Sequence, residues 1–218
     1  MRTSMKVLVV GANGTTGKQV VELLANSSQH QPYAMIRKEE QKKAFEQQNV
    51  DVILADLEKD VSEAVKGMDA VIFAAGSGGH TGDDKTIAVD QNGAKNVIDA
   101  AKKAGVKRFV MLSSMGTDAP EQGPEGLQLY LRAKAIADEY LKQSNLAYTI
   151  VRPGSLSDDQ ATGKIDVNTD IADKSATIPR ADVAKALVAS LDEETTIGKT
   201  FEILSGKTEI EQAIQFAH

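Results

Sequence analysis

The chain has 218 residues, of which 41% are hydrophobic, so it can bury the core of one well-packed domain. Its net charge is −6 at pH 7 and both signs of charge are spread along it, which argues against a nucleic-acid-binding face. Cysteine is absent, which excludes disulfides and thiolate metal sites, and the histidines His30, His80 and His218 lie too far apart to predict a metal site.

Short apolar runs alternate with longer runs of helical periodicity. The predicted strands are Lys6–Val10, Tyr33–Ile36, Val50–Leu54, Ala70–Ala74, Arg108–Leu112, Ala147–Val151 and Thr200–Leu204. The predicted helices are Gly17–Ala25, Glu39–Gln48, Ser62–Val65, Asp84–Ala104, Gly126–Gln143 and Arg180–Leu191. The stretch Gly154–Ile178 is polar and is expected to be irregular. This alternation predicts an α/β fold with a doubly wound parallel sheet of the Rossmann type. We expect one domain over residues 1–218, in which 153–180 and 192–218 form a small substrate-side lobe.

Three glycines follow the first predicted strand at steps of three and lead directly into a helix. Gly11 permits a tight turn, Gly14 lets the backbone approach a pyrophosphate, and Gly17 lets the helix pack close to the strand. The other residues assigned to this turn are Asn13, Thr15 and Thr16, and the threonines can add hydroxyl donors. A glycine turn between a strand and a helix N-terminus is typical of dinucleotide binding.

The residues after the second predicted strand indicate which dinucleotide is bound. An NAD enzyme usually has an acidic residue there to bind the ribose 2′-hydroxyl. This chain instead has Arg37 and Lys38, which suit the 2′-phosphate of NADP. Glu39 and Glu40 follow immediately and keep NAD open.

The ends of the next two predicted strands extend the same site. Asp56 and Leu57 follow the third strand and are expected beside the adenine. Ala74, Ala75 and Gly76 end the fourth strand and are expected beside the ribose and diphosphate. Both expectations rest on the rule that ligands bind at the carboxyl ends of parallel strands.

Tyr130 and Lys134 are spaced i and i+4, which places them on one face of a predicted helix. A nearby cation lowers the pKa of a tyrosine, so the phenol can exchange a proton with a carbonyl or an alcohol. The preceding strand ends in Ser113 and Ser114, and a serine hydroxyl there can hold the substrate oxygen. The alternative is a tyrosine packed in the core beside a surface lysine.

Asp90 falls on the apolar stripe of the predicted helix Asp84–Ala104. A carboxylate on a core-facing stripe is costly unless it is paired or hydrogen-bonded. Asp90 therefore either faces the site or is exposed by a local bend of the helix.

Together these residues resemble the short-chain dehydrogenase/reductase superfamily, and most closely its atypical branch of NAD(P)H-binding, epimerase/dehydratase-like proteins. The resemblance covers nearly the whole chain. It is carried by the Gly11, Gly14 and Gly17 spacing, Val89–Asn96, Met111–Ser114, Tyr130 with Lys134, and Val151–Gly154.

The resemblance implies roles for individual residues. Tyr130 would be the acid/base, and Lys134 would bind the cofactor ribose and tune the tyrosine. A serine would orient the substrate, and Ser114 is favoured over Ser113, which is placed at the cofactor. Asp90 stands where an active-site asparagine is usual, and a carboxylate cannot donate as an amide does. Pro153 and Gly154 would lie under the nicotinamide.

These observations favour an NADP-dependent oxidoreductase that acts on a small carbonyl, quinone or flavin-like substrate. A cofactor-sensing binding protein and an NAD-dependent epimerase or dehydratase are the alternatives. The glycine-rich loop Gly76–Gly82 is expected to be a mobile lip over the site, with His80 either solvated or meeting the substrate. We expect a cytoplasmic protein that binds a small molecule and neither nucleic acid nor membrane, and a homodimer stays open.

Overall fold

A central sheet organises the computed structural model, which describes residues 4–78 and 82–217; His80 and His218 therefore lie outside the described residues. Within the described part the sheet has nine strands in the order β3-β2-β1-β4-β5-β6-β10-β8-β11. A separate two-stranded sheet joins β7 and β9. The strands are β1 Met5–Val10, β2 His30–Ile36, β3 Asp51–Leu54, β4 Ala70–Phe73, β5 Arg108–Leu112, β6 Tyr148–Pro153, β7 Ser155–Ser157, β8 Lys164–Asn168, β9 Thr177–Pro179, β10 Lys199–Ser205 and β11 Thr208–Glu209.

Helices cover both faces of this sheet. They are α1 Thr15–Ala25, α2 Lys42–Glu46, α3 Ser62–Val65, α4 Asp83–Lys85, α5 Ala94–Ala104, α6 Gln128–Lys142, α7 Arg180–Asp192 and α8 Ile210–Gln215. The segment Thr86–Gly93 between α4 and α5 is a π-helix, which divides the long helix predicted there. No helix in the described ranges is both long and apolar enough to cross a membrane.

The core consists of two apolar layers, one on each face of the sheet. Val7 and Val9 of β1 belong to the layer under α1 and α7, whereas Leu8 and Val10 belong to the layer under α3, α5 and α6. Successive residues of a strand point to opposite faces, so a strand buried on both faces is apolar throughout. The predicted doubly wound α/β fold is confirmed.

The parallel part of the sheet runs from β3 to β10. β8 and β11 then add an antiparallel edge. The expectation that Gly154–Ile178 is irregular is therefore wrong, because this stretch contains β7, β8 and β9. β8 alternates polar residues with Ile165 and Val167, and a single five-residue strand of this kind is a weak signal in a polar sequence. From the two C-terminal segments, β8, β10 and β11 thus extend the large sheet, whereas β7 and β9 form the separate small sheet.

Candidate active site

A continuous cleft follows the carboxyl ends of the parallel strands, where ligands of such sheets bind. Its first part, the β2 pocket, has a volume of about 390 Å³ and lies at the ends of β1, β2, β3 and β4. Its second part, the β5 pocket, has a volume of about 610 Å³ and lies at the ends of β4, β5 and β6. The two parts share Gly14, Ala74, Ala75, Gly76 and Ser77, so one elongated ligand can reach both.

Most of the residues predicted from the sequence line this cleft. Those in the wall of the β2 pocket are Gly11, Asn13, Gly14, Arg37, Asp56, Leu57, Ala74, Ala75 and Gly76. The β5 pocket adds Thr15, Thr16, Ser113, Ser114, Tyr130, Lys134, Pro153 and Gly154. Three predicted residues lie outside both linings: Gly17, Lys38 and Asp90.

Each of the three glycines of the turn has a different steric environment. Gly11 has a φ of +81°, and a Cβ on it would lie 2.5 Å from Ala75 Cα. A Cβ on Gly17 would overlap the carbonyl oxygen of Gly11, so this glycine serves the packing of α1 against the turn. A Cβ on Gly14 would meet one neighbour, Gly11 O at 3.2 Å, and Gly14 is otherwise open to the cleft.

The N-terminus of α1 is left uncapped by the protein. It has no acidic residue in its first turn, and none of the described side chains caps it by a hydrogen bond. The first amides of an eleven-residue helix therefore point toward the cleft without an acceptor, at the positive end of the helix dipole. This end of the cleft fits the pyrophosphate of a dinucleotide.

The charged residues after β2 separate into two groups. Arg37 is exposed, lines the β2 pocket, and forms no ion pair with a described residue. Lys38 lies within 3.7 Å of Glu40, and Lys42 lies within 3.8 Å of Glu39. Neither glutamate is in the cleft wall, so Arg37 is the charged side chain directly after β2 that lines the pocket.

Lys134 is held in place by three groups of the protein. Its Nζ lies 3.3 Å from Asp90 Oδ1 and donates to Ala75 O at 3.3 Å and to Leu112 O at 3.2 Å. The other carboxylate oxygen of Asp90 accepts the Ser77 N–H at 3.0 Å. Asp90 is thus buried and paired behind the cleft, and the π-helix that carries it does not expose it.

The ammonium of Lys134 stays charged despite its burial. Burial opposes the charge, but the negative charges of Tyr130 as phenolate, Asp90 and Asp138 together raise the pKa of Lys134 above its ordinary value. Lys134 Nζ lies 5.9 Å from the centre of the Tyr130 ring. A fixed positive charge therefore lies close to the Tyr130 ring.

The two serines at the end of β5 have different surroundings. Ser113 is buried, and its Oγ donates to Asp138 Oδ2 at 2.8 Å. Ser114 is half-buried, and its Oγ donates to the neighbouring Met115 O at 3.1 Å. The Ser114 hydroxyl can turn toward a ligand without disturbing a buried carboxylate, whereas the Ser113 hydroxyl cannot.

The Tyr130 side chain completes this end of the cleft. It is half-buried, and its hydroxyl forms no hydrogen bond with any residue in the described ranges. A phenol, a serine hydroxyl and a fixed ammonium thus meet beside the β5 pocket, which is an arrangement suited to proton transfer at an oxygen.

Two residues behind the serines, Asp138 and Arg152, were given no role from the sequence, although Arg152 lies within the Val151–Gly154 motif. Asp138 Oδ2 accepts from Arg152 Nε at 3.1 Å and from Arg152 Nη2 at 3.0 Å. Burial raises the pKa of Asp138 above its usual range, although Arg152, Ser113 and Lys134 act against this rise. The i+4 spacing from Lys134 to Asp138 was the signal that could have indicated this residue.

A third unanticipated residue is Arg180, which begins α7 and lines the β5 pocket. Nothing near it in the sequence indicates a site. It reaches the cleft because β9 pairs with β7 directly before it, and these strands lie in the stretch expected to be irregular.

Comparison with known proteins places this cleft in a family context. Residues 11–194 match a family model described as NAD(P)H-binding. The uncharacterized sugar epimerase YhfK of Bacillus subtilis (strain 168) is 44% identical over 214 residues, which are 97% of this chain and 99% of that protein.

Two solved structures resemble the whole chain. One from Bacillus halodurans, named provisionally as an NAD-dependent epimerase/dehydratase, is 48% identical with a TM-score of 0.94, covering 97% of this chain and 99% of that one. ChuY, an anaerobillin reductase from Escherichia coli O157:H7, is 26% identical with a TM-score of 0.79, covering 93% and 98%. These matches confirm the resemblance inferred from the residues.

Proposed function

The chain belongs to the family of NAD(P)H-binding proteins, and from this premise we propose that it is an NADP-dependent oxidoreductase. Its substrate would be a small carbonyl, quinone or flavin-like compound. The observation that supports this proposal best is the single cleft with Arg37 at one end and Tyr130, Ser114 and Lys134 at the other.

The β2 pocket supports NADP as the cofactor. Arg37 is its exposed cation without a described ion-pair partner, and a guanidinium can bind a 2′-phosphate through two parallel hydrogen bonds. Glu39 and Glu40, which kept NAD open, pair with lysines outside the cleft. The uncapped N-terminus of α1 would hold the pyrophosphate between this end and the β5 pocket.

The β5 pocket supports a proton-coupled reduction. When bound, the reduced cofactor supplies a hydride to the substrate carbon. Tyr130 would give its phenolic proton to the substrate oxygen, so a carbonyl gains two electrons and two hydrogens and becomes an alcohol. Ser114 would hydrogen-bond that oxygen, Lys134 would stabilise the phenolate by its charge, and solvent would return the proton to Tyr130.

The decisive test follows NADPH oxidation with a panel of carbonyls, quinones and flavins. We expect Tyr130→Phe to lower kcat by about 100-fold or more while the dissociation constant of NADPH stays nearly unchanged. Tyr140→Phe is the matched control, because Tyr140 lies on the same helix but donates to Asp99 outside the cleft. Unchanged turnover in Tyr130→Phe, or no oxidation with any substrate, would contradict the proposal.

A second candidate function is an epimerase or dehydratase, and the names of the Bacillus relatives favour it. Such an enzyme must retain its oxidised cofactor through each turnover. Mass spectrometry of the purified protein distinguishes the two functions. Tightly held NAD would favour the epimerase, whereas exchangeable NADP would favour the reductase.

A further inference from the structure

We propose that Arg180 selects substrates that combine an apolar body with a carboxylate group. This inference names the substrate class of the proposed reductase and therefore rests on that function. Arg180 lines the β5 pocket together with four leucines, which are Leu112, Leu127, Leu129 and Leu156. A cation in a largely apolar wall orients a ligand by its one charged group, while the apolar surface supplies most of the contact.

Arg180 is attached to a rigid part of the structure. The two residues before it, Ile178 and Pro179, are buried. Ile178 is paired with Leu156 in the β7–β9 sheet, so the arginine and one leucine of the wall are positioned by the same two strands. In the first turn of α7, Asp182 accepts the backbone N–H of Gly163, which ties the start of the helix to the loop before β8.

The guanidinium is available to a ligand. Its Nη1 donates to Asp158 Oδ1 at 2.8 Å, and the side chains of Arg180 and Asp158 are 28% and 78% exposed. A guanidinium has five N–H donors, so this contact leaves donors for a second carboxylate. An ion pair with so exposed a carboxylate is weak, and a ligand in the pocket can compete with it.

The other charged residues of the β5 pocket leave Arg180 as its accessible cation. Among the described lining residues, Lys134 is buried and paired with Asp90. Asp83, the carboxylate in the same wall, is exposed and comes from α4, whereas Arg180 comes from α7. A ligand carboxylate in this pocket would therefore be directed to Arg180, which can bind it bidentately.

The test compares anthraquinone-2-carboxylate with the neutral anthraquinone-2-carboxamide. Binding is measured by calorimetry with the protein saturated with NADP, so that no turnover is needed. We expect the wild type to bind the carboxylate about tenfold more tightly than the carboxamide, because one charge-assisted contact is gained. Arg180→Gln should abolish this preference, and Arg180→Lys should restore part of it.

Two further variants sharpen the result. Asp158→Asn removes the competing carboxylate and should tighten binding of anthraquinone-2-carboxylate several-fold. Lys185→Gln removes a positive charge from the same helix, where it pairs with Glu211, and should leave the preference unchanged. Asp158→Asn keeps the test valid if Arg180→Gln does not fold.

The outcomes for the two proposals are distinct. Equal binding of the two compounds by the wild type, a preference that survives Arg180→Gln in the folded protein, or no binding of either compound would overturn the role of Arg180. A preference for the carboxylate without NADPH oxidation would leave that role intact and contradict the reductase. NADPH oxidation at equal efficiency with both compounds would support the reductase and contradict the role of Arg180.

Discussion

Lys134 Nζ lies 3.3 Å from Asp90 Oδ1, and their side chains are only 3% and 0% exposed. This buried ion pair stands directly behind the cleft and joins α6 to the π-helix Thr86–Gly93. π-helical turns are frequent at functional sites, where they change the direction of a side chain. Here the π-helix brings a carboxylate to the lysine that stands beside Tyr130.

Removal of Asp90 should destabilise the protein strongly. We expect Asp90→Ala to lower the free energy of unfolding by about 3–5 kcal/mol, because the buried ammonium loses its counter-charge. Glu63→Ala is the control, since Glu63 and Lys66 form an exposed pair at 3.7 Å whose loss should change little. Urea denaturation measures both variants. An equally small effect in both would show that the buried pair does not stabilise the fold.

The same pair should give stability a dependence on alkaline pH. The folded-state pKa of Lys134 is raised above 10.5, so its stabilising contribution is fully present below that pH and is lost as the pH rises through the folded pKa. Asp90→Asn removes the carboxylate that helps to raise this pKa. The difference in unfolding free energy between wild type and Asp90→Asn should be constant near neutral pH and should shrink in strongly alkaline solution. Denaturation curves across this range would refute the coupling if the difference did not change.

Arg37 should determine the preference for NADP over NAD. We expect Arg37→Ala to weaken NADPH binding by about tenfold or more and to leave NADH binding nearly unchanged, because only NADPH carries a 2′-phosphate. Lys43→Ala removes an exposed charge from α2, outside the cleft, and should affect neither cofactor. Fluorescence titration with both cofactors measures the effect. A parallel loss of NADPH and NADH affinity would exclude 2′-phosphate recognition by this residue.

Substitutions of Gly14 and Gly17 should have different effects, one on cofactor binding and the other on stability. Gly17→Ala places a methyl group onto the Gly11 carbonyl and should cost about 2 kcal/mol or more of stability. Gly14→Ala meets Gly11 O at 3.2 Å and should fold with nearly unchanged stability, while the methyl group blocks the approach of the pyrophosphate. Thermal unfolding and cofactor titration of both variants separate the two effects. Normal cofactor affinity in Gly14→Ala would remove this glycine from the binding site.

Replacement of each serine should separate a structural role from a catalytic one. Ser113→Ala removes a hydrogen bond to the buried Asp138 and should lower stability by about 1–3 kcal/mol. Ser114→Ala should leave stability nearly unchanged and lower kcat by about 100-fold, because the substrate oxygen loses a hydrogen-bond donor. Denaturation and steady-state kinetics on the same preparations test this. The opposite pattern would make Ser113 the residue that contacts the substrate.

Local patterns in the chain were sufficient to predict the fold class and the glycine turn. Each of the seven predicted strands is present. Most of them are buried on both faces and are therefore apolar runs, whereas β3 at the sheet edge is only partly buried. The roles of the glycines between β1 and α1 could also be predicted, because a positive φ or a missing Cβ is required by contacts that are mostly within the same turn. Periodicity also placed Tyr130 and Lys134 on one face of α6.

Contacts between distant segments required the folded structure. Asp90 and Lys134 are 44 positions apart, and no local pattern in the sequence indicates that they form a buried ion pair with each other. The hydroxyl of Ser113 differs from that of Ser114 only because Asp138 approaches one of them from α6. Arg180 reaches the cleft because β7 pairs with β9. Strands this short and polar leave no pattern from which that pairing could be predicted. Burial and charge pairing depend on which elements pack together, and packing is a property of the whole chain rather than of any one stretch.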